Sequence, residues 1–558
     1  MGRGAQNTAV SAGKEDTESV TMENKVYFSP NGQNRTPDVV TALLHAKDNT
    51  TLIFENGTYD FYADGAYRGY FFPGCNRSGD KLVIFPMLHL HNVVIEGNGA
   101  KFLFHDRVFP FILQDCENTI LRDFSIDFSF PRCLEAAVTA VDEDGFFLHM
   151  DVQQNGCSVN EHGNMVIRAG SELFSSSERR FFLEQRDWHC FLSIGDIYYE
   201  NINPPAAVVI CDAEQQEDGI RFHYREGSEP VQFTVGKPLM ISYDELREND
   251  VIFLERCQNT EVRNVRIYHG AGMGIVGQCC ENLILDHYVV DPGDDGLSST
   301  TADAILLTNF SGTVQMTHCV VDRSVDDAIS IHGFYTRVDT VTDRCKAAVR
   351  MVHLSQAGTN PYFPGDRLVI SDGETMCCRG FVTVKRAFLR DDPAVIFLET
   401  EETLDGLLRP GDILENPERT PEVLIQNCTF RNFPAIRLSS AKKTVFEDNR
   451  VENCTALLLN DLVKYWSVSG CVRDVTIRNN QFANMDAGIR IFSERPMTSD
   501  IRHQNITIVG NLFRNCAVGI DASAVDHLTI CGNRYENVGT PYRTACCTDV
   551  VENDCLSI

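Results

Sequence analysis

The sequence predicts an all-β protein: a right-handed parallel β-helix, or solenoid, interrupted by two inserted small β modules. Three observations point to it. An eight-residue pattern recurs at steps of 21 to 31 residues. Asn and Cys keep fixed offsets relative to that pattern. Two long stretches lack the pattern yet remain rich in alternating β sequence.

The pattern reads β-former, x, apolar, x, x, Asn, x, apolar. It occupies 93–100, 119–126, 260–267, 283–290 and 314–321, then 423–430, 444–451, 475–482, 506–513 and 528–535. The last five starts are separated by 21, 31, 31 and 22 residues. The sixth position is Asn98, Asn449, Asn480, Asn511 and Asn533, with Cys428 in the same slot of its repeat. Cys116, Cys257 and Cys280 each stand three residues before a start. Short strands at this period, separated by Gly, Asn and Asp, are the signature of stacked coils, and no helical period accompanies them. Coils about 4.8 Å apart would stack the Asn and Cys side chains into ladders. Those ladders are read as structural, and the thiols as free and buried.

The first 50 residues form an N-terminal segment or cap, and 51–130 the first coils, beginning with a strand, turn and strand over 52–62. Residues 131–250 form the first inserted module, 251–337 the middle coils, 338–417 the second module and 418–558 the C-terminal coils. Strand-like runs such as 136–141 and 395–399, with turn clusters such as Pro364-Gly365-Asp366, mark the modules.

Forty-nine basic against 78 acidic residues leave a net charge of −29, which argues against nucleic acid and anionic membranes as partners. No run of 18 apolar residues exists, so no membrane span is expected. The polar start lacks an apolar leader, which predicts a cytoplasmic protein, or a secreted one whose leader has been removed. The open ends of a solenoid need covering, by inserted modules or by a second subunit in a homodimer.

The densest acidic constellation lies on two successive coils. One carries Asp291-Pro292-Gly293-Asp294-Asp295-Gly296, the next Asp322-Arg323-Ser324-Val325-Asp326-Asp327-Ala328. Between them lies Thr300-Thr301-Ala302-Asp303, and after them His332 and Arg337. Carboxylates in contact raise one another's proton affinity, which supplies an acid and a base in one place, as glycoside hydrolysis requires. Neighbours in a strand face opposite ways, so Asp326 and Asp327 reach one cavity only from a bend. Asp291 and Asp322 read as turn residues. A Ca²⁺ site is the rival reading, but no regular ligand loop or glycine-rich nonapeptide exists, so neither a metal nor another cofactor is expected. Trp466, or Tyr465, suits the wall of a sugar subsite or the core.

At these residues the chain resembles glycoside hydrolase family 110, the exo-acting α-1,3-galactosidases. The matching stretches are Gly270-Ala271-Gly272-Met273-Gly274-Ile275, Ser299-Thr300-Thr301-Ala302-Asp303-Ala304, Asp326-Asp327-Ala328 and His332-Gly333, with echoes from about residue 50 to 540. The resemblance implies barrel-like inserted modules and metal-independent, inverting removal of terminal α-linked galactose from oligosaccharides or glycans. It implies Asp303, Asp326 and Asp327 as the catalytic set, and sugar contacts from His332, Asp295, Arg437, Asp461 and Trp466. The chain departs from the family pattern at Ser330, where Asn is usual, at 305–307, where a His is common, and at Val468, where an acid is usual. Those departures bear on the sugar, which leaves N-acetylgalactosamine open. A polygalacturonase-like pectin hydrolase and a non-catalytic carbohydrate-binding β-helix are the competing readings.

Overall fold

The computed structural model describes residues 24–558 except 77, 131–133, 155, 170–171, 176–179, 186–189, 196–206, 229–232, 234, 237, 243–248, 295, 497–498, 500–501, 554–555 and 558. Each complete coil contributes three strands. Glu281–Val290 bends at His287 to supply two of them, and Ile305–Thr308 is the third. Gln258–Ile267 and Ile275–Gln278 form the coil below; Ser311–Thr317, Val320–Asp322 and the start of Ile329–Asp343 form the coil above. All these neighbours pair in parallel, with Thr260 opposite Leu283 and Leu283 opposite Val314.

Alternation sends one residue of each pair inward. Ile275, Ile305, Ile329 and Ile436 thus belong to one buried core that runs the length of the helix. The ladder starts earlier than the repeats reveal: Asn24–Phe28 pairs in parallel with Thr50–Phe54. Between those strands the helix Thr36–Leu44, opened by Pro37, adds Val39 and Leu43 to the end of the core.

The Asn positions form a buried ladder. Asn449, Asn480, Asn511 and Asn533 each accept, through Oδ1, the backbone N–H of the preceding rung at 2.8–2.9 Å. Their amides donate to the carbonyls of Ile425, Phe446, Ile477 and Ile508. Cys428 continues the column, its Sγ accepting from the N–H of Cys319 at 3.3 Å, and Cys280 does the same for Cys257. Asn98 is the exception: it is exposed and sits in a left-handed bend, outside that ladder. No described cysteine is in a disulfide.

The first insertion leaves after Glu117–Phe128 and the coils resume at Ile252–Glu255, which pairs back onto Phe109–Gln114. It carries an eight-stranded sheet drawn from Leu134 to Ser242. Among the described residues that sheet has two ends, at Ala207–Val209 and Cys211–Gln216, so it is not drawn closed as a barrel-like module would be. The second insertion extends Ile329–Asp343 out of its coil. That strand, Lys346–Met351, Val395–Thr400, Cys378–Leu389, Arg367–Ser371 and Ile413–Glu415 pair in a closed antiparallel cycle. Among the described residues no helix is long and apolar enough to cross a membrane.

Candidate active site

Third strands of the middle coils present Leu306, Ser330 and His332 outward while Ile305, Leu307 and Ile331 point into the core. Just before each of these strands the chain bends, at Asp303 in one coil and at Asp326–Asp327 in the next. The bend breaks the alternation, and all three aspartates line one cavity that is open to solvent. Leu306 pairs opposite Ser330, so Asp303 lies directly beneath Asp327, and the Ala304 N–H donates to the Asp327 carbonyl at 3.0 Å. The Asp327 N–H in turn donates to Asp326 Oδ1 at 3.1 Å.

Arg437 rises from the next rung, opposite Ser330. Its Nε stands 3.7 Å from Asp327 Oδ2, and its Nη1 donates to Asn460 Oδ1 at 2.8 Å. His332 is buried, and its Nδ1 lies 2.9 Å from the Gly333 carbonyl, which can only accept. Nδ1 therefore carries the proton, and Nε2 is left as an acceptor. Burial pushes the His332 pKa down to about 4; the nearby Arg437 charge adds to this and the Gly333 hydrogen bond opposes it.

Trp466, Leu462 and Val468 form one wall. Trp466 remains 38% exposed, so it is cavity wall and not core. Gln356, from the second module, donates to the Trp466 carbonyl at 2.8 Å, and the His353 ring packs 4.7 Å from the indole. Cys75 and Met273 line the cavity as well. Cys75 belongs to a strap laid across the coils: the Gly74 N–H donates to Gln278 Oε1 at 2.7 Å, and the Cys75 N–H to the Ser355 carbonyl at 2.9 Å. A Cβ on Gly74 would meet Gln278 Oε1 at 2.8 Å, so a side chain there would have to displace the amide that the strap's N–H uses. The first module braces the acidic loop, since Glu135 Oε1 accepts the Leu297 N–H at 2.6 Å and Met240 packs with Val325, next to Asp326.

Of the residues the sequence singled out, Asp303, Asp326, Asp327, His332, Arg437 and Trp466 meet in this cavity. Asp295 lies outside the described residues. Asp461 is a correction. It is fully buried and does not line the cavity; its Oδ2 accepts from Arg495 Nε and from Tyr335 OH, both at 3.0 Å. Arg495 also pairs with Glu415 at 2.8 Å, which makes Asp461 part of a pillar beneath the site. Asp291 Oδ1 accepts the Gly293 N–H, as a turn residue does, whereas Asp322 is a correction: it ends the strand Val320–Asp322 and is buried against Arg431. Sequence reasoning missed Gln356 and Cys75, which reach the site from outside the repeat and carry no periodic signal.

Fold and site define a β-helix protein with an acidic, aromatic-walled cavity over the third strands of its middle coils. Residues 416–535 match the family model described as right handed beta helix region. The chain is 28% identical to alpha-1,3-galactosidase A of Shewanella woodyi, over 87% of this chain and 80% of that protein. It is 27% identical to an alpha-1,3-galactosidase B of Phocaeicola vulgatus, over 87% and 82%, and 26% identical to alpha-1,3-galactosidase A of Bacteroides fragilis, over 91% and 85%. The chain is a divergent relative of the alpha-1,3-galactosidases, in agreement with the family 110 resemblance.

Proposed function

We propose that this chain is an exo-acting glycoside hydrolase that removes terminal α-linked galactose, preferentially α-1,3-linked, from oligosaccharides or glycans with inversion. The observation that carries the reading is the convergence of Asp303, Asp326 and Asp327 from two adjacent coils on one cavity, in a chain related to alpha-1,3-galactosidases over most of its length. In an inverting hydrolysis one carboxylic acid protonates the leaving glycosidic oxygen, while a carboxylate takes a proton from the water that attacks the anomeric carbon from the opposite face. Asp327 enters the cavity beside the Arg437 cation, an arrangement that suits the base. Asp303, one rung below, and Asp326 are the candidates for the acid. Trp466 offers a face for the apolar side of the sugar, and neutral His332 Nε2 accepts a hydroxyl.

The pectin reading finds little support, because Arg437 is the one permanent cation among the described residues lining the cavity, and galacturonate polymers call for several. The test is galactose release from a p-nitrophenyl α-glycoside panel and a galactose-α-1,3-galactose oligosaccharide, by wild type and Asp327→Asn. The expected result is release by wild type, a loss of about 10²–10⁴-fold in the variant, and β-galactose as the first anomer seen by NMR. Release of N-acetylgalactosamine instead would relocate the specificity while keeping the chemistry. No release of any sugar, or equal release by the variant, would defeat the proposal.

A further inference from the structure

One corner of the β-helix, between the first and second strands of each coil, requires a left-handed residue. Along that column stand Asp123, Asn264, His287, His318, Asn427 and Asp448, with φ between 49° and 61°. Asp and Asn tolerate this conformation well, and Asn264 Nδ2 donates to Asp123 Oδ1 at 2.7 Å in the manner of the other turn ladders. On two consecutive rungs the column turns to His. There the rung-to-rung amide bonds give way to something else: both imidazoles aim Nδ1 at one atom, Asp286 Oδ1. His287 Nδ1 lies 3.0 Å from it and His318 Nδ1 3.3 Å, with the rings stacked at 4.7 Å.

We propose that Asp286, His287 and His318 form a binding site for a divalent transition metal of the zinc class, separate from the acidic cavity over the third strands. The three donor atoms already lie within 4.8 Å of one another. Ligand bonds of about 2.1 Å to each Nδ1 and to the Asp286 oxygen, 3.0–3.3 Å apart, subtend roughly 90–105°, between octahedral and tetrahedral, and side-chain rotation of the two exposed rings can bring both nitrogens to one ion. Two imidazoles and a carboxylate are the donor set that such metals favour over Ca²⁺ or Mg²⁺. Binding moves each ring proton from Nδ1 to Nε2. The side chains are 58% and 52% exposed, so water can satisfy Nε2 and complete the coordination. Thr317 Oγ1 donates to Asp286 Oδ1 at 2.8 Å and holds the carboxylate in place; Arg263 stands 3.7 Å from the other oxygen.

The experiment is isothermal titration of the intact chain with ZnCl₂ at pH 7.5 under a non-chelating reductant, alongside His287→Asn and His318→Asn. Asn is the residue that the same column uses at Asn264 and Asn427, so both variants keep the turn. The expected result is one ion per chain, weakened at least about tenfold in either variant, with a zinc anomalous-scattering peak between the two Nδ1 atoms. Absence of binding would overturn the inference, and so would a zinc isotherm unchanged in both variants, which would place the ion on thiols elsewhere.

Discussion

Asp461→Asn separates a structural pillar from a sugar contact. Asp461 is 0% exposed, Arg495 1% and Glu415 7%. The substitution preserves shape but removes the charge that Arg495 Nε meets at 3.0 Å. Removing one partner of a buried pair typically destabilises by about 3–5 kcal/mol, because the remaining charge is left in a poor solvent. Glu415 stays 2.8 Å from Arg495 and offsets part of this, which places the expected loss near 3 kcal/mol. With a urea m-value of about 3 kcal/mol/M, the unfolding midpoint followed by circular dichroism should fall by about 1 M. The folded variant should keep the KM of the wild type for its glycoside. An unchanged midpoint with a KM raised tenfold would refute the assignment and return Asp461 to the sugar.

Two further outcomes are expected. His332 is held neutral when folded, with its pKa near 4 against about 6.5 in the unfolded chain, so the unfolded state binds the extra proton between those values. Its contribution is complete above pH 6.5 and shrinks as pH falls toward 4, by about 3 kcal/mol in all; His332→Gln should remove that slope from stability–pH curves, and an identical slope in the variant would exclude it. Asn480→Ala strips the acceptor from the buried Asn449 N–H and the donor from the Phe446 carbonyl, for a loss of about 2–4 kcal/mol. Asn480→Cys should lose less, since Cys428 fills that slot in its own coil, and equal losses would show that the sulfur accepts nothing useful.

The coils were legible because every turn must bury the same inward positions, and the ladder because a buried amide is needed on every rung from Asn449 to Asn533. The pair Asp326–Asp327 was legible as part of an acidic cluster, whereas Asp303 came through the family 110 resemblance, because the sequence alone matches Asp294-Asp295 with that pair while the strand register sets Asp303 opposite Asp327. The strap at Gly74–Cys75 was not, since its partners Gln278 and Ser355 lie more than 200 residues away and in different coils or modules. Nor was the first strand, Asn24–Phe28, which a helix separates from its neighbour. The run from Asn460 to Trp466 misled for a simple reason: a strand end buries Asp461 on one side, and the loop after it turns Trp466 to the other.

The register between Asp303 and Asp327 makes the peptide hydrogen bond the ruler of this site. Their backbones are one strand spacing apart, about 4.8 Å, whatever happens in the loops between them. A residue gained or lost between coils alters the rim of the cavity but leaves that vertical interval unchanged. Divergence can therefore rewrite the strap, the Trp466 wall or the module loops, one lineage at a time, without resetting the distance between the two backbones that carry these carboxylates.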